Sequence, residues 1–196
     1  MNVSAPYYLA IYTEEKEKAD MNAGYIMQQL SLYLFGKGIG SCFQGMGHLK
    51  GEMPKAGMRC VILMALGYPK VDMIRDQEEA KRQSLEELCA WKEQPRRFVK
   101  EFLEAARLAP SAFNAQPWRF VVYENRVHVF SKQTVGQRRF LGKYNEFDFG
   151  IMLANIMIAA EQLWVDVDLI RLDNITHMEL PNNRYVISVI MREAES

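Results

Sequence analysis

The sequence carries a helix pattern and a strand pattern twice, at nearly the same separation. The stretch "NAGYIMQQLSLYLFGKGIG" starts at residue 22, and "FDFGIMLANIMIAAEQLW" starts at residue 147. At an offset of 126 positions (150 minus 24), glycine falls on glycine and apolar residues fall on apolar residues: Gly24, Leu30, Leu32 and Ile39 on Gly150, Ile156, Ile158 and Val165. The strand pattern around Val61 falls on that around Val186 at an offset of 125. A repeat of this size predicts two related halves.

The second half begins with a segment that has no counterpart in the first half. By this register the strand at Tyr8 matches the strand at Val127, and the residues from about Glu86 to Arg126 match nothing in the first half. Roughly 40 residues are therefore expected to be absent before Met1. We predict one domain over 1–196, with an N-terminally incomplete first half at 1–83 and a second half at 84–196.

Apolar spacing predicts the helices. In the first repeat, Ile26, Leu30 and Leu34 recur near helical spacing, and Gly36 and Gly38 are typical of a helix end. Farther along, Ser84 and Glu87 form a capping box at a helix start. Pro95 is expected to restart that helix in its first turn. The restarted helix would carry an apolar face of Phe98, Phe102, Ala105 and Leu108.

Alternating and continuous apolar runs predict the strands. The chain opens with the strand pattern "APYYLAIYT", and "CVILMALGYP" is typical of a buried strand. The charged run at 71–83 separates it from the second half as a connector. "WRFVVYENRVHVFSK" predicts a hairpin that turns at Glu124 and Asn125, and "VDVDLI" and "RYVISVIM" predict two further strands.

Composition excludes several classes of function. Lys plus Arg equals Asp plus Glu at 24 each, which removes the electrostatic case for a nucleic-acid or anionic-membrane partner. No apolar run approaches the roughly 20 residues that cross a bilayer, and the N-terminus has no basic region typical of a signal peptide. Cys42, Cys60 and Cys89 are odd in number and suit reduced thiols in the cytoplasm.

Two short loops carry the candidate chemistry. "KGIGSCFQG" places Gly38, Gly40 and Gly45 where a backbone could approach a flat ring, but such glycines also fit a helix end followed by a turn. "LAPSAFNAQPWRF" joins a helix pattern to a strand pattern, and its Ser111 and Asn114 could equally be ordinary turn residues. The three histidines, His48, His128 and His177, show no ligand spacing with the cysteines, so we expect no metal site.

Together these stretches resemble the flavin-dependent nitroreductase family. "ARLAPSAFNAQPWRFVVYE" is similar to its helix-turn-strand segment with the pattern P-S-x-x-N-x-Q-P-W, and "NAGYIMQQLSLYLFGKGIGSCFQG" and "VILMALGYPK" are similar to its central helix, flavin loop and closing strand. The loop order is reversed relative to an ordinary member, which resembles the branch in which one chain carries two nitroreductase-like halves. The resemblance implies a pseudo-two-fold α+β fold, with mixed but mainly antiparallel sheets packed on central helices.

The resemblance also implies one FMN site between the halves. The first half would contribute Ser41, Cys42, Gln44 and Gly45, and the second half Pro110, Ser111 and Asn114. Lys81 and Arg82 resemble a basic pair that the family uses at the phosphate, whereas no R-x-S-x-R segment precedes "APYY". In the reciprocal loop, Trp164, Val165 and Asp166 replace Gly38, Ile39 and Gly40, so we expect that site to be lost.

The implied activity is an FMN-dependent oxidoreductase. NAD(P)H would donate hydride to the flavin and leave, and a small acceptor such as a nitroaromatic or quinone would then take it in a ping-pong sequence. No side chain is assigned a catalytic role, because the hydride is exchanged at the flavin. The alternatives are a flavin-less binding or structural module and a flavin enzyme with a different family reaction, such as a dehydrogenation. The chain is expected to be a monomer that imitates a dimer, or a homodimer.

Overall fold

The chain forms two sheets around a pair of central helices. The computed structural model describes residues 3–45, 47, 57–70, 72, 74, 76–132, 142–176 and 183–192. The first sheet is built from β1 (Tyr7–Glu14), β2 (Gly40–Gln44) and β3 (Met58–Gly67), and helix α1 spans Ala19–Gly36. The second sheet is built from β4 (Cys89–Trp91), β5 (Trp118–Val122), β6 (Arg126–Ser131), β7 (Val167–Ile170) and β8 (Arg184–Met191). The remaining helices are α2 (Leu85–Leu88), α3 (Val99–Leu108) and α4 (Gly142–Gln162), with 3-10 turns at Gln77–Glu79 and Ala112–Asn114.

The two sheets repeat one topology. The first has the order β1-β3-β2 and the second has β4-β5-β6-β8-β7, so that β6, β8 and β7 stand in the order of β1, β3 and β2. All these shared pairings are antiparallel, and β4 alone among the described strands pairs in parallel, with β5. The expected α+β architecture with mixed, mainly antiparallel sheets is confirmed.

The register of the strands also repeats. Val61 of β3 is the extra residue of a bulge opposite β1, and Val186 of β8 is the extra residue of a bulge opposite β6. These are the two valines that the sequence places 125 positions apart, so the strand repeat is confirmed. The match of the strand at Tyr8 with the strand at Val127 is confirmed, because β1 pairs with β3 as β6 pairs with β8. In residue register, Leu9 corresponds to Val127, since Leu9 pairs with Met64 and Val127 with Val189. The division at 83/84 stays a prediction.

Helices α1 and α4 cross at equivalent glycines. A side chain on Gly24 would overlap the Phe147 carbonyl oxygen, and one on Gly150 would overlap the Met21 carbonyl oxygen. The offset of 126 relates Gly24 to Gly150 and Met21 to Phe147. The contact of Gly24 with Phe147 is therefore the repeat-related copy of the contact of Gly150 with Met21. The crossing is therefore self-complementary, as contacts across a two-fold axis are, and it accounts for a glycine at each position.

The buried face of α1 surrounds Gly24. Ile26 is 55% exposed, whereas Met21, Ala23, Gly24, Met27 and Gln28 are buried. The helix predicted from the spacing of Ile26, Leu30 and Leu34 is confirmed, but Ile26 lies off its buried face. Leu30 and Leu34 are half-buried beside the core.

The segment before α3 is the largest departure from expectation. The capping box at Ser84 and Glu87 is confirmed, but α2 ends at Leu88 and the chain becomes β4. Beyond β4, backbone N–H groups of Lys92 and Arg96 continue to bond β5 and its turn, at Val122 and Glu124. Pro95 therefore lies in an extended segment and does not restart a helix.

Helix α3 also packs on a different face. It begins at Val99, after Phe98, whose φ of 74° ends the extended segment. The helix buries Val99, Phe102, Leu103 and Ala106, while Phe98, Ala105 and Leu108 are half-buried. The predicted hairpin at Glu124 and Asn125 is confirmed, because β5 and β6 pair up to Val122 and Val127 on either side of it.

Candidate functional site

A cavity of about 460 Å³ lies where β2 meets α4 and the turn after α3. Its volume falls in the range of small-molecule sites. Predicted residues that line it come from both halves: Ser41, Cys42, Gln44 and Gly45 of the first, and Pro110 and Ser111 of the second. The other lining residues are Ser31, Phe43, Ile62, Ala112, Phe113, Tyr144, Phe147, Asp148 and Ile151. The two loops singled out in the sequence thus face one space.

The first wall is β2, an edge strand of the sheet as described. Alternate backbone N–H groups of an edge strand have no ladder partner and can donate to a ligand. The Gln44 side chain is already engaged, because its Oε1 accepts from the Val3 N–H at 2.9 Å and its Nε2 donates to the Cys42 and Phe43 carbonyls at 3.3 Å. A contact from Gln44 to a ligand would therefore come from its backbone.

The second wall is formed by residues 110–113, and the backbone of this turn is strained. Phe113 and Asn114 have φ of 53° and 55°, and Gln116 follows with 46°, values that are uncommon for residues other than glycine. The Ser111 Oγ accepts the Gln116 N–H at 3.0 Å and closes the turn. Phe113 lines the cavity while 61% exposed. Such strain is concentrated at functional sites in proteins.

Asn114, Lys81 and Arg82 form a separate group beside the turn and do not line the cavity. The Asn114 Nδ2 donates to the Lys81 carbonyl at 2.8 Å, and its Oδ1 accepts from an Arg82 Nη at 2.9 Å. Burial and the nearby Arg107 guanidinium lower the pKa of Arg82. Within the described chain, the buried Arg82 Nε has no hydrogen-bond partner. Arg107 is itself paired with Glu104 at 2.6 Å, so the unsatisfied donor of Arg82 is the feature that favours an anion here.

Asp148 is the feature that the sequence reasoning missed. It lies in α4, is 3% exposed, and lines the cavity. The Ala112 N–H lies 3.1 Å from each of its carboxyl oxygens, which ties α4 to the strained turn. Burial raises the pKa of Asp148 to about 7, although the hydrogen bond from Ala112 lowers it. The sequence signal that could have identified Asp148 is an acidic residue placed among the apolar Phe147, Phe149 and Ile151.

Aromatic contacts fix the remaining wall. Phe43 and Phe147 pack edge to face with ring centroids 5.4 Å apart, and the Tyr144 hydroxyl donates to the Gly45 carbonyl at 2.6 Å. These contacts join β2 and the residue after it to α4. The apolar lining therefore has a defined shape, as a site for a flat ligand requires.

The equivalent loop after α4 keeps its backbone but changes its side chains. The N–H groups of Ile39 and Gly38 bond the Leu34 and Phe35 carbonyls, and those of Val165 and Trp164 bond the Ala160 and Glu161 carbonyls in the same way. Gly38 and Trp164 both have positive φ, at 77° and 56°. Trp164 is 96% exposed, so the indole lies in solvent where the first loop has no side chain.

Neither a metal cluster nor a membrane helix occurs in the described parts of the chain. No group of three or more His, Cys, Asp or Glu there could hold a metal ion. His128 is bonded through Nδ1 to the Ser188 hydroxyl at 2.6 Å, and His48 and His177 lie outside the described residues. Among the described helices, none is long and apolar enough to cross a bilayer.

Comparison with known proteins gives one family and one fold. The model of the family described as "Putative TM nitroreductase" matches residues 1–160. The crystal structure of a putative nitroreductase from Thermotoga maritima matches with a TM-score of 0.65 at 18% identity, over 96% of this chain and 71% of that one. A putative NADH oxidase from Clostridium acetobutylicum matches with a TM-score of 0.38 at 18% identity, over 59% of this chain and 86% of that one. No curated protein matches. The expected fold is confirmed by the first structure.

Proposed function

Since the chain belongs to the family described as "Putative TM nitroreductase", we propose that it is an FMN-dependent oxidoreductase. It would take hydride from NAD(P)H and pass it to a nitroaromatic, quinone or similar small acceptor, in a ping-pong sequence. The family itself supports the broader class of oxidoreductase. A cytoplasmic location, and a monomeric or homodimeric state, belong to the same proposal.

The observation that carries this proposal is the composition of the cavity. Residues 41–45 of the first half and 110–113 of the second line the same space, as the resemblance to nitroreductases implied. A bound flavin would supply the hydride chemistry at its ring. The protein would supply a mainly apolar slot and fixed backbone donors from the β2 edge, which stabilise charge on a ring without reorganising.

The phosphate of FMN is proposed to lie outside that slot, at Arg82. The Arg82 guanidinium provides the positive charge, since its Nε has no partner among the described residues and Asn114 orients it. The nearby Arg107 is paired with Glu104 and is not counted as a second free cation. Lys81 contributes a backbone carbonyl to this arrangement and, through its exposed side chain, a further positive charge. Arginine suits phosphate because its planar donors bind two oxygens at once.

The experiment is a flavin titration followed by turnover. Purified protein titrated with FMN should quench flavin fluorescence with one FMN bound per chain, and the loaded protein should oxidise NAD(P)H when a quinone or nitroaromatic is added. Colourless protein with no titratable FMN would reject the enzyme and favour a flavin-less binding module. Flavin binding without turnover of either acceptor would favour another family reaction.

An Arg82 variant tests whether Arg82 binds the phosphate of FMN or its ring. Replacement R82Q should weaken FMN by roughly one to two decades, because a charge-assisted hydrogen bond contributes about 1.5 to 3 kcal/mol. It should leave lumiflavin, which has the same ring and no phosphate, unchanged. R192Q, which removes an exposed partner of Asp168 on the second sheet, is the matched control and should affect neither ligand. Equal losses of both ligands in R82Q would place Arg82 elsewhere than at the phosphate.

A further inference from the structure

The Asp148 carboxyl is a buried acid whose hydrogen-bonding capacity the protein leaves partly unused. In the part of the chain that the structure describes, the Ala112 N–H is its hydrogen-bond partner, and that one donor spans both oxygens. A carboxylate offers about four acceptor positions, and a neutral carboxylic acid offers one O–H donor besides acceptor capacity. Buried polar groups in proteins normally have hydrogen-bond partners. The missing partner is expected from whatever fills the cavity.

The surroundings favour the neutral form of this acid. Among the described residues that line the cavity there is no Lys or Arg, and burial without a cation disfavours a negative charge. The other titratable side chains of the lining are the Cys42 thiol on β2 and the Tyr144 phenol one turn earlier on α4. Ser31 of α1 and the turn residues Ser111 and Ala112 carry no titratable group. The pKa of about 7 therefore has burial as its main cause.

We propose that Asp148 is the specificity-determining donor of the cavity: as a neutral acid it gives its O–H to an acceptor atom of the bound ring and keeps the Ala112 N–H on its other oxygen. This rests on the proposed function, since the ring is taken to be an isoalloxazine, which has carbonyl oxygens and ring nitrogens as acceptors. Ionised Asp148 would present a negative charge and no donor. The cavity would then bind a neutral or electron-rich ring less well.

The same contact couples the ligand to the strained turn. One oxygen of Asp148 holds the N–H of Ala112, next to Ser111 and Phe113, which line the cavity. A ligand that accepts from the other oxygen would select the protonated side chain. The apparent affinity of a ligand falls with the fraction of protein in the competent form.

The test uses lumiflavin, because it lacks a phosphate that would itself titrate. For wild-type protein the lumiflavin dissociation constant should rise about tenfold between about pH 6 and about pH 8, since the fraction of neutral Asp148 falls about tenfold. In D148N the side-chain amide donates at every pH, so its lumiflavin affinity should not change over this interval. D168N, on the exposed pair with Arg192, is the control and should show the wild-type slope.

The outcomes separate this proposal from the proposed function. A wild-type lumiflavin affinity that does not change with pH, or that rises with pH, overturns the role of Asp148 while leaving flavin binding in place. A D148N profile that follows the wild-type profile overturns it as well. Absence of binding of both lumiflavin and FMN at every pH overturns both. The wild-type titration decides the question even where D148N fails to fold.

Discussion

Trp164 shows how a position can keep its backbone conformation while its side chain changes. It stands at the position of Gly38 in the repeat and makes the same hydrogen bonds after its helix, with φ of 56°. The left-handed region costs a residue with a Cβ about 1 to 2 kcal/mol. Because the indole is 96% exposed, its contacts offset little of that cost.

Replacement W164G should therefore stabilise the protein. We expect a gain of about 1 kcal/mol in the free energy of unfolding, measured by urea denaturation, because glycine adopts positive φ without the steric cost. The matched control is F98G. Phe98 has φ of 74° but packs against the core, so its loss should destabilise. A destabilised W164G would mean that the indole has a contact outside the described chain, and flavin affinity should be unchanged in either case.

At the scale of single residues, the sequence predicted which residues line the cavity better than it predicted their hydrogen bonds. Ser111 and Gln44 were expected at the site and do line the cavity, but Gln44 uses its amide on its own strand and on Val3. Asp148 escaped notice because its importance comes from burial and from a partner 36 positions earlier. Neither property is visible in local sequence.

The helix pair shows which features of an element the repeat could reveal. Glycine at 24 and 150 was apparent from the offset, but the reason for it, a backbone-to-backbone crossing of α1 and α4, required the structure. The strand β4 was not predicted because its three residues follow a capping box and pair in parallel with β5, a contact made about 31 positions away in the chain (120 minus 89). Tertiary pairing there overrides the local helical signal.

Replacement G24A tests the crossing. Its methyl group would overlap the Phe147 carbonyl, and we expect a loss of about 3 kcal/mol in the free energy of unfolding, because the two helices must separate. G36A is the control on the same helix. Nothing lies within 4 Å of a Cβ at Gly36, so alanine should stabilise by about 0.5 to 1 kcal/mol through its higher helix propensity. Thermal unfolding of the two variants should shift in opposite directions, and a neutral G24A would contradict the close crossing.

At the scale of the molecule, one cavity is built from two halves whose sheets share order, register and bulge. The repeat in the sequence was sufficient to predict the paired architecture. The resemblance of the two loops was sufficient to predict that they face each other. The basic group around Arg82 was only half visible in the sequence, because Arg107, whose charge lowers the pKa of Arg82, comes from α3.

Asp148 also makes the stability of the whole molecule depend on pH. Its pKa is about 7 in the folded protein, compared with an ordinary value of 3.8. Between these values the folded state binds more protons than the unfolded state, so the free energy of unfolding falls as pH rises. The stabilisation that the neutral Asp148 carboxyl gives the folded state is fully present below pH 3.8 and is lost as pH rises through about 7. The exposed carboxylates Glu14 and Asp168 have lowered pKa values, and they act in the opposite sense and at lower pH.

Urea denaturation of wild-type protein and D148N at several pH values should reveal this dependence. Between about pH 5 and about pH 6, the wild-type free energy of unfolding should fall relative to D148N by nearly 1.4 kcal/mol per pH unit, the value of one proton, and this slope should be roughly halved at pH 7. D168N should keep the wild-type slope, because its carboxylate is exposed and already ionised. Parallel profiles for wild type and D148N would show that the carboxyl titrates as it does in water. The cavity would then be wetter than the burial of Asp148 indicates.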